Sequence, residues 1–159
     1  MRRLLSGLSS RSSALARWAP LPLRLMVGYG FMAHGVAKLS RGADAFARIL
    51  QAMGVPAPDL MAWLTILIEV VGGLALILGA FILEFSVPMA AVLLVAMFTA
   101  QLPNGFISIK LLGVTSAGPQ FGPPGYEINL LYLACLAALV LGGPGPLAID
   151  HLIHGAKKA

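Results

Sequence analysis

The stretch Gly28-Tyr-Gly-Phe-Met-Ala-His-Gly-Val-Ala-Lys38 decides the fold of this chain. It belongs to an apolar segment, residues 21–39, whose length suits a helix that crosses a membrane. His34 and Lys38 stand four residues apart, so a helix presents both on the same face. Ionisable side chains inside a membrane span cost free energy and are functional candidates by default. The stretch therefore predicts a membrane helix with one polar face.

The composition points to the same class of protein. Of the 159 residues, 58% are hydrophobic and 11% are charged, and the mean hydropathy is +0.89. A soluble domain cannot cover that much apolar surface. The basic residues flank apolar segments and form no aromatic-interleaved patch, which argues against nucleic-acid binding. The single cysteine, Cys135, excludes an intramolecular disulfide and a CxxC redox pair within this sequence.

Three more apolar segments follow the first one along the chain. The second of the four contains Gly72 and Gly73, which permit close contact between helices. Together the segments predict an all-α integral membrane protein, a four-helix bundle. Their expected bounds are residues 21–39, 60–81, 87–102 and 126–141.

The connections between the spans carry signals of their own. Four apolar residues within 46–53 recur at helical spacing and predict a short amphipathic helix on the surface. Residues 83–86 are expected to form a tight turn, with Ser86 as the N-cap of the third span. A long loop joins the third and fourth spans, and its apolar middle, residues 107–112, is expected to dip into the membrane interface.

Basic residues indicate the orientation. Four spans place both chain ends on one side, so the number of Lys and Arg on that side is compared with the number opposite. The terminal side carries more of them, which predicts cytoplasmic N and C termini and an outer loop between the third and fourth spans. The terminal side has Arg2, Arg3, Arg11, Arg17, Arg24, Lys157 and Lys158, against Lys38, Arg41, Arg48 and Lys110 on the other.

The chain divides into three parts. Residues 20–152 form the four-helix transmembrane domain, and residues 153–159 form a basic C-terminal tail. Residues 1–19 contain arginines and serines but no acidic residue, and we interpret them as a basic tail or a short interfacial helix on the cytoplasmic surface. A mitochondrial presequence also fits this composition, whereas a cleaved secretory signal fits poorly because Arg11 interrupts its apolar region.

Polar side chains from different spans are expected to meet in the outer half of the bundle. With a helical rise of about 1.5 Å per residue, Lys38 lies at the outer boundary, His34 one turn deeper and Glu69 roughly 13 Å below the surface. A carboxylate at that depth must be protonated or paired with a cation such as Lys38 or a protonated His34. The third and fourth spans add Gln101, Tyr126 and Glu127 at the same end.

Two interpretations of this polar group remain open. The side chains pair only to hold the bundle together, or they form a ligand-binding or proton-exchange site. Both predict contact, and only the second predicts an opening beside the side chains. Taken singly, His34 suits a core histidine, Lys38 a snorkelling side chain, Tyr126 an aromatic belt and Glu127 a helix N-terminus.

The inner end of the bundle carries charges of its own. Arg24, Glu84 and Asp150 are expected at similar depth there. We interpret them as a structural charge balance at the interface rather than as a site.

Four short motifs occur in a fixed order along the chain. They are His34-Gly35 followed by Lys38, the run Ile68-Glu69-Val-Val-Gly-Gly73, Gly125-Tyr-Glu127 opening a span, and Gly142-Gly-Pro-Gly145 followed by Asp150. As a set they resemble the DoxX family, small four-span membrane proteins of bacteria and archaea. The resemblance covers roughly residues 20–152.

The resemblance implies a four-helix fold in the bacterial plasma (inner) membrane and a link to quinone- or sulfur-related redox complexes. Many members of the family have no assigned activity. The positions that it carries over are His34, Lys38, Glu69, Tyr126 and Glu127, and Gln101 stands where a polar residue often ends the third span.

Three functions are compatible with these residues. The first is a quinone- or small-molecule-binding subunit of a membrane redox assembly, in which His34, Lys38 and Tyr126 donate hydrogen bonds and Glu69 or Glu127 exchanges protons. The second is a non-catalytic anchor or scaffold whose polar cluster only fixes helix packing. The third is a small-solute transporter or channel, which ranks last because the sequence has no inverted repeat.

The sequence also limits the chemistry. It has no Fe–S spacing, no nucleotide-binding glycine motif and no metal-ligand cluster, so electrons would have to come from a partner protein. Haem is disfavoured because His34 would have to pair with His151 or His154 across most of the bilayer. We expect no enzyme activity from the chain alone, and we expect it to associate with the bilayer, with redox proteins or with itself.

Overall fold

The computed structural model describes residues 15–151. The interpretations of the first 14 residues and of the tail from residue 152 onward fall outside that part of the chain. Within it lie two short helical turns, Met97–Gln101 and Leu102–Asn104, and a hairpin of β1 (Leu111–Thr115) and β2 (Gly118–Phe121). The helices are α1 (Pro20–Arg41), α2 (Ala43–Ala52), α3 (Pro58–Leu78), α4 (Ile82–Ala96) and α5 (Glu127–Gly142).

The four long helices pack around one core. In cyclic order, α1 packs against α3, α3 against α4, α4 against α5, and α5 against α1. The short helix α2 lies on α3, where Ala47 and Leu50 contact Ala62. The core is formed by the buried side chains Val27, Phe31, Leu76, Ile82, Met89, Leu136 and Leu139.

Two helical segments are long and apolar enough to cross a membrane: Pro58–Leu78 and Ile82–Asn104. Helix α5 is apolar but shorter, and α1 carries Arg24, Lys38 and Arg41. Only 39% and 22% of the two long apolar windows are buried inside the protein. Most of their apolar surface therefore faces away from the bundle, as contact with lipid requires.

Helices α1 and α3 approach each other closely because glycines face one another. A Cβ placed on Gly28 would lie 2.5 Å from the carbonyl oxygen of Gly73, and a Cβ on Gly73 would lie 2.5 Å from the carbonyl oxygen of Gly28. Gly35, two turns further along α1, is closed in by Glu69 and Val70. The sequence identified Gly73 as a contact residue, and its partners in α1 follow from the packing.

The predicted turn at residues 83–86 is wrong, because these residues lie inside α4. The chain turns earlier, at Gly79, whose φ of +68° suits glycine, and at Phe81. The first amides of α4 are capped from far along the chain: the carboxylate of Asp150 accepts hydrogen bonds from Phe81 N at 2.8 Å and Ile82 N at 3.3 Å. Ser86, the predicted cap, is instead buried.

The loop between α4 and α5 corrects the all-α prediction. Strands β1 and β2 pair antiparallel, with Thr115 opposite Gly118 at the turn and a bulge between Leu111 and Gly113. The strands contact little of the bundle, and Leu112 and Val114 are exposed. Within the two strands themselves, hydrophobic and polar residues do not alternate, so the pattern predicted no strand there.

We expect Gly28→Ala to lower the apparent thermal unfolding midpoint in detergent. The added methyl meets the backbone of α3, and overpacking of this kind costs about 1–3 kcal/mol. Gly142→Ala is the matched control, because a Cβ there meets nothing within 4 Å. An equal or smaller loss for Gly28→Ala than for Gly142→Ala would contradict the tight crossing.

Candidate functional site

A buried ion pair links α1 to α3 near the end of the bundle that carries α2 and the hairpin. Lys38 Nζ lies 2.6 Å from both carboxylate oxygens of Glu69. The Glu69 side chain is 6% exposed and the Lys38 side chain 23% exposed. The Lys38 ammonium also lies 5.2 Å from the ring centroid of Phe46 in α2. The glycine crossing brings the two helices close enough for this contact.

The ion pair forms part of the wall of a cavity of about 220 Å³. All four long helices contribute to the wall, which combines polar groups with an apolar surface. The polar residues are His34, Lys38, Glu69, Gln101, Asn129 and Tyr132, and the apolar residues are Phe31, Val92, Leu93, Ala96 and Ile128. An opening thus lies beside the charged pair, as the ligand-binding hypothesis requires.

Gln101 reaches the cavity from a π-helical turn. Residues Met97–Gln101 form this turn at the end of α4, and π-turns recur at functional sites. The Gln101 Oε1 atom is buried and has no hydrogen-bond partner within residues 15–151. The side-chain amide of Gln101 has an NH2 group that donates and an oxygen that accepts hydrogen bonds. Rotating the amide by 180° exchanges the positions of these two groups. The unpartnered amide position is therefore suited to a ligand group that donates a hydrogen bond or to one that accepts it.

Two residues of α5, Asn129 and Tyr132, also line the cavity, although neither was predicted to be a site residue. Asn129 is buried, and its Nδ2 donates to the carbonyl oxygen of Leu93 in α4 at 3.1 Å. The Tyr132 ring packs edge-on against Phe31, with 5.7 Å between the centroids, and its hydroxyl abuts Gly30. The sequence did contain a sign of this pair. Polar residues that stand three apart within an apolar segment lie on the same helix face.

Tyr126 and Glu127 lie outside the cavity wall. Tyr126 packs edge-on against Phe106, with 5.6 Å between the ring centroids. The Glu127 carboxylate accepts a hydrogen bond from Ser108 N at 3.0 Å, and Ser108 Oγ donates to the carbonyl oxygen of Gly125. These two side chains anchor the loop to the start of α5. Of the predicted site residues, the structure thus brings together His34, Lys38, Glu69 and Gln101.

The predicted inner-face charges lie at the opposite end of the bundle. Arg24 is 1% exposed and donates to the carbonyl oxygens of Pro144, at 2.7 Å, and Leu147, at 3.3 Å. Asp150 caps α4, while Glu84 is exposed. Arg24 and Asp150 therefore attach the segment after α5 to the other helices, a more specific role than a charge balance. Within residues 15–151, no three His, Cys, Asp or Glu side chains are grouped to hold a metal ion.

A comparison with protein families is decisive for the identity of the bundle. The model of the DoxX family matches residues 19–102, which is more than half of the chain. This chain belongs to the DoxX family. The finding confirms the resemblance that the motifs indicated, and DoxX proteins are membrane proteins. The DoxX match contains His34, Lys38, Glu69 and Gln101. No curated protein and no solved structure matches the chain significantly.

We expect Glu69→Gln in this DoxX protein to destabilise the bundle, because Lys38 loses its counter-charge. Removing one partner of a buried pair costs roughly 3–5 kcal/mol, and the partial exposure of Lys38 favours the lower end of that range. The double variant Lys38→Met/Glu69→Leu should recover most of the loss. Thermal unfolding in one detergent measures all three proteins.

The exposed carboxylate of Glu84 provides the control for this series. Glu84→Gln should leave the unfolding midpoint nearly unchanged. A double variant as unstable as Glu69→Gln alone would mean that the loss does not come from the uncompensated charge of Lys38.

Proposed function

We propose that α1, α3, α4 and α5 all cross the bacterial plasma membrane, with both chain ends in the cytoplasm and the cavity in the outer half. At about 1.5 Å per residue, α1 and α3 extend roughly 33 and 32 Å, which matches a hydrocarbon core of about 30 Å. Helix α5 extends roughly 24 Å, a mismatch that local thinning of the bilayer accommodates at modest cost. The excess of Lys and Arg at the chain ends supports the orientation.

This arrangement gives the loop between α4 and α5 a defined position. Its base is hydrogen-bonded to the start of α5, through Tyr126 N to the carbonyl oxygen of Gly105 and Glu127 N to that of Phe106. The hairpin therefore starts at the outer boundary of the membrane. Its exposed apolar side chains suit the outer membrane interface. In water alone, an isolated two-stranded hairpin would be only marginally stable.

A cysteine at the exposed hairpin turn tests the orientation. We expect Ser116→Cys, in a Cys135→Ala background, to react in intact cells with a maleimide that does not cross the membrane. A cysteine at Glu84, at the other end of the bundle, should react only after the cells are permeabilised. The reverse pattern would place the cavity in the cytoplasmic half.

We further propose that the cavity binds the headgroup of a quinone-class molecule, and that the protein serves as a subunit of a membrane redox assembly. The observation that carries this proposal is the unpartnered, buried Gln101 Oε1 beside the Lys38–Glu69 pair in a cavity. A hydroquinone hydroxyl can donate to Gln101, and a quinone carbonyl can accept from the remaining Lys38 proton or from the Tyr132 hydroxyl.

The proton chemistry of such a molecule suits the same residues. Reduction of a quinone takes up two protons, and oxidation releases them. Glu69 and His34 can each hold or release a proton, and His34 is exposed at the edge of the cavity. Because the sequence has no dithiol pair and no Fe–S or nucleotide motif, the electrons come from a partner protein in this proposal.

A non-catalytic scaffold is the second candidate. It is favoured by the ion pair itself, because Lys38 and Glu69 satisfy each other without a ligand. The two candidates differ over Gln101. A ligand in the cavity can satisfy the Gln101 amide oxygen, whereas a scaffold leaves it unsatisfied at a cost in stability, as the fold leaves the buried Arg24 Nε and Ser86 Oγ within residues 15–151.

We expect Gln101→Leu to weaken quinone binding by about tenfold, equivalent to about 1.4 kcal/mol for the lost hydrogen bond, without lowering thermal stability. Binding of decyl-ubiquinone to the protein in nanodiscs, followed by tryptophan fluorescence, measures the first effect. Glu84→Gln, far from the cavity, is the control. Wild-type protein that binds no quinone, or a Gln101→Leu variant that binds normally, would favour the scaffold.

A further inference from the structure

The cavity is closed on the α1–α5 side at one level and open one turn further along. Gly30 and His34 are four residues apart in α1 and so point toward the same neighbour. At Gly30 the contact is tight, because a Cβ there would collide with the Tyr132 hydroxyl of α5. His34, one turn toward the hairpin end, lines the cavity and is nevertheless exposed. The seam between α1 and α5 therefore separates beyond the Gly30–Tyr132 contact.

The α5 side of this opening is formed by Ile128. Its side chain lines the cavity and is 47% exposed. The neighbouring Asn129 is held against α4 by its hydrogen bond to the carbonyl oxygen of Leu93. Among the residues that line the cavity, His34 and Ile128 are the exposed ones, and the others are buried or half-buried. The mouth therefore lies between these two side chains.

The size of the cavity limits what fits inside. About 220 Å³ is below the roughly 300–1,000 Å³ of pockets that enclose a drug-sized ligand. The volume suits one ring with its polar substituents. Any longer part of the ligand must leave through the mouth, where the apolar side chain of Ile128 lines the way out.

We propose that the ligand is a membrane-dissolved amphiphile that reaches the site sideways, between α1 and α5. Its ring occupies the cavity, and its apolar tail passes between His34 and Ile128 and stays in the lipid. The inference rests on the proposed position of the cavity within the membrane. In this proposal, the Gly30–Tyr132 contact closes the inner end of the route between α1 and α5.

This route avoids the largest cost of binding a lipid-like molecule. A ligand that arrived through water would first transfer its tail out of the bilayer, at about 0.8 kcal/mol for each methylene group. Along the α1–α5 seam the tail stays in lipid before and after binding. The affinity of the protein for the tailed ligand, expressed per mole fraction of ligand in the bilayer, is therefore nearly independent of tail length. The affinity for the tail-free ring depends only on its contacts in the cavity.

The test compares the ubiquinone ring without a tail and its decyl derivative, bound to the full chain in nanodiscs. Ile128→Trp narrows the mouth, so we expect it to weaken binding of the decyl quinone about tenfold more than binding of the tail-free ring. Leu131→Trp is the matched control, because Leu131 is exposed on the same helix but does not line the cavity. It should change neither affinity.

The outcomes separate this inference from the proposed function. If the wild type binds neither quinone, the binding function itself is refuted. If it binds both and Ile128→Trp weakens neither, weakens both equally, or acts no differently from Leu131→Trp, the lateral route is wrong and the site stands. Tight binding of the tail-free ring with no binding of the decyl quinone would likewise overturn the route alone.

Discussion

The contact between the backbones of α1 and α3 is the constraint on which the rest of the structure depends. At Gly28 and Gly73 each helix occupies space that a side chain would need. In lipid, helices gain little from hiding apolar surface, so close packing and polar contacts hold them together. The crossing supplies the close packing and makes the polar contact possible, because Lys38 lies about three turns from Gly28 in α1 and Glu69 about one turn from Gly73 in α3. The ion pair thus follows from the glycines rather than from the attraction of the charges alone.

The two ends of the bundle use polar groups differently. At one end, Arg24 and Asp150 bond to backbone groups of Pro144, Leu147, Phe81 and Ile82, and so join the segment after α5 to the rest. At the other end, polar side chains from four helices surround a cavity, and one buried amide oxygen stays without a partner. Natural proteins rarely leave such an atom unsatisfied without a reason. The Lys38–Glu69 end is the candidate site because the unpartnered Gln101 oxygen lines a cavity there together with an ion pair. The buried Arg24 Nε and Ser86 Oγ also have no partner within residues 15–151, but they do not line the cavity beside Asp150.

The cavity depends on irregular geometry as much as on residue type. The π-turn at Met97–Gln101 interrupts the regular hydrogen bonding of α4 where Gln101 joins the wall. Asn129 bonds to Leu93 and keeps the start of α5 against α4, while Tyr132 closes the seam with α1 one turn deeper. A small cavity lined by all four long helices results. A charged pair in such a cavity is screened less than one in water, so it interacts more strongly with polar groups beside it.

The sequence by itself determined the class of protein, the family, the four apolar helices, the short helix α2 and the polar residues in α1 and α3. These features are local, because hydropathy and helical spacing are read from consecutive residues. Tertiary structure decided the partners. Asp150 caps a helix that begins 68 residues earlier, which no local pattern reveals, and so the turn before α4 was misplaced. Tyr126 and Glu127 looked like site residues because they open α5, yet the helix turns them toward the loop and turns Asn129 and Tyr132 toward the cavity. A side chain's depth follows from counting residues, but its direction follows only from how the helices pack.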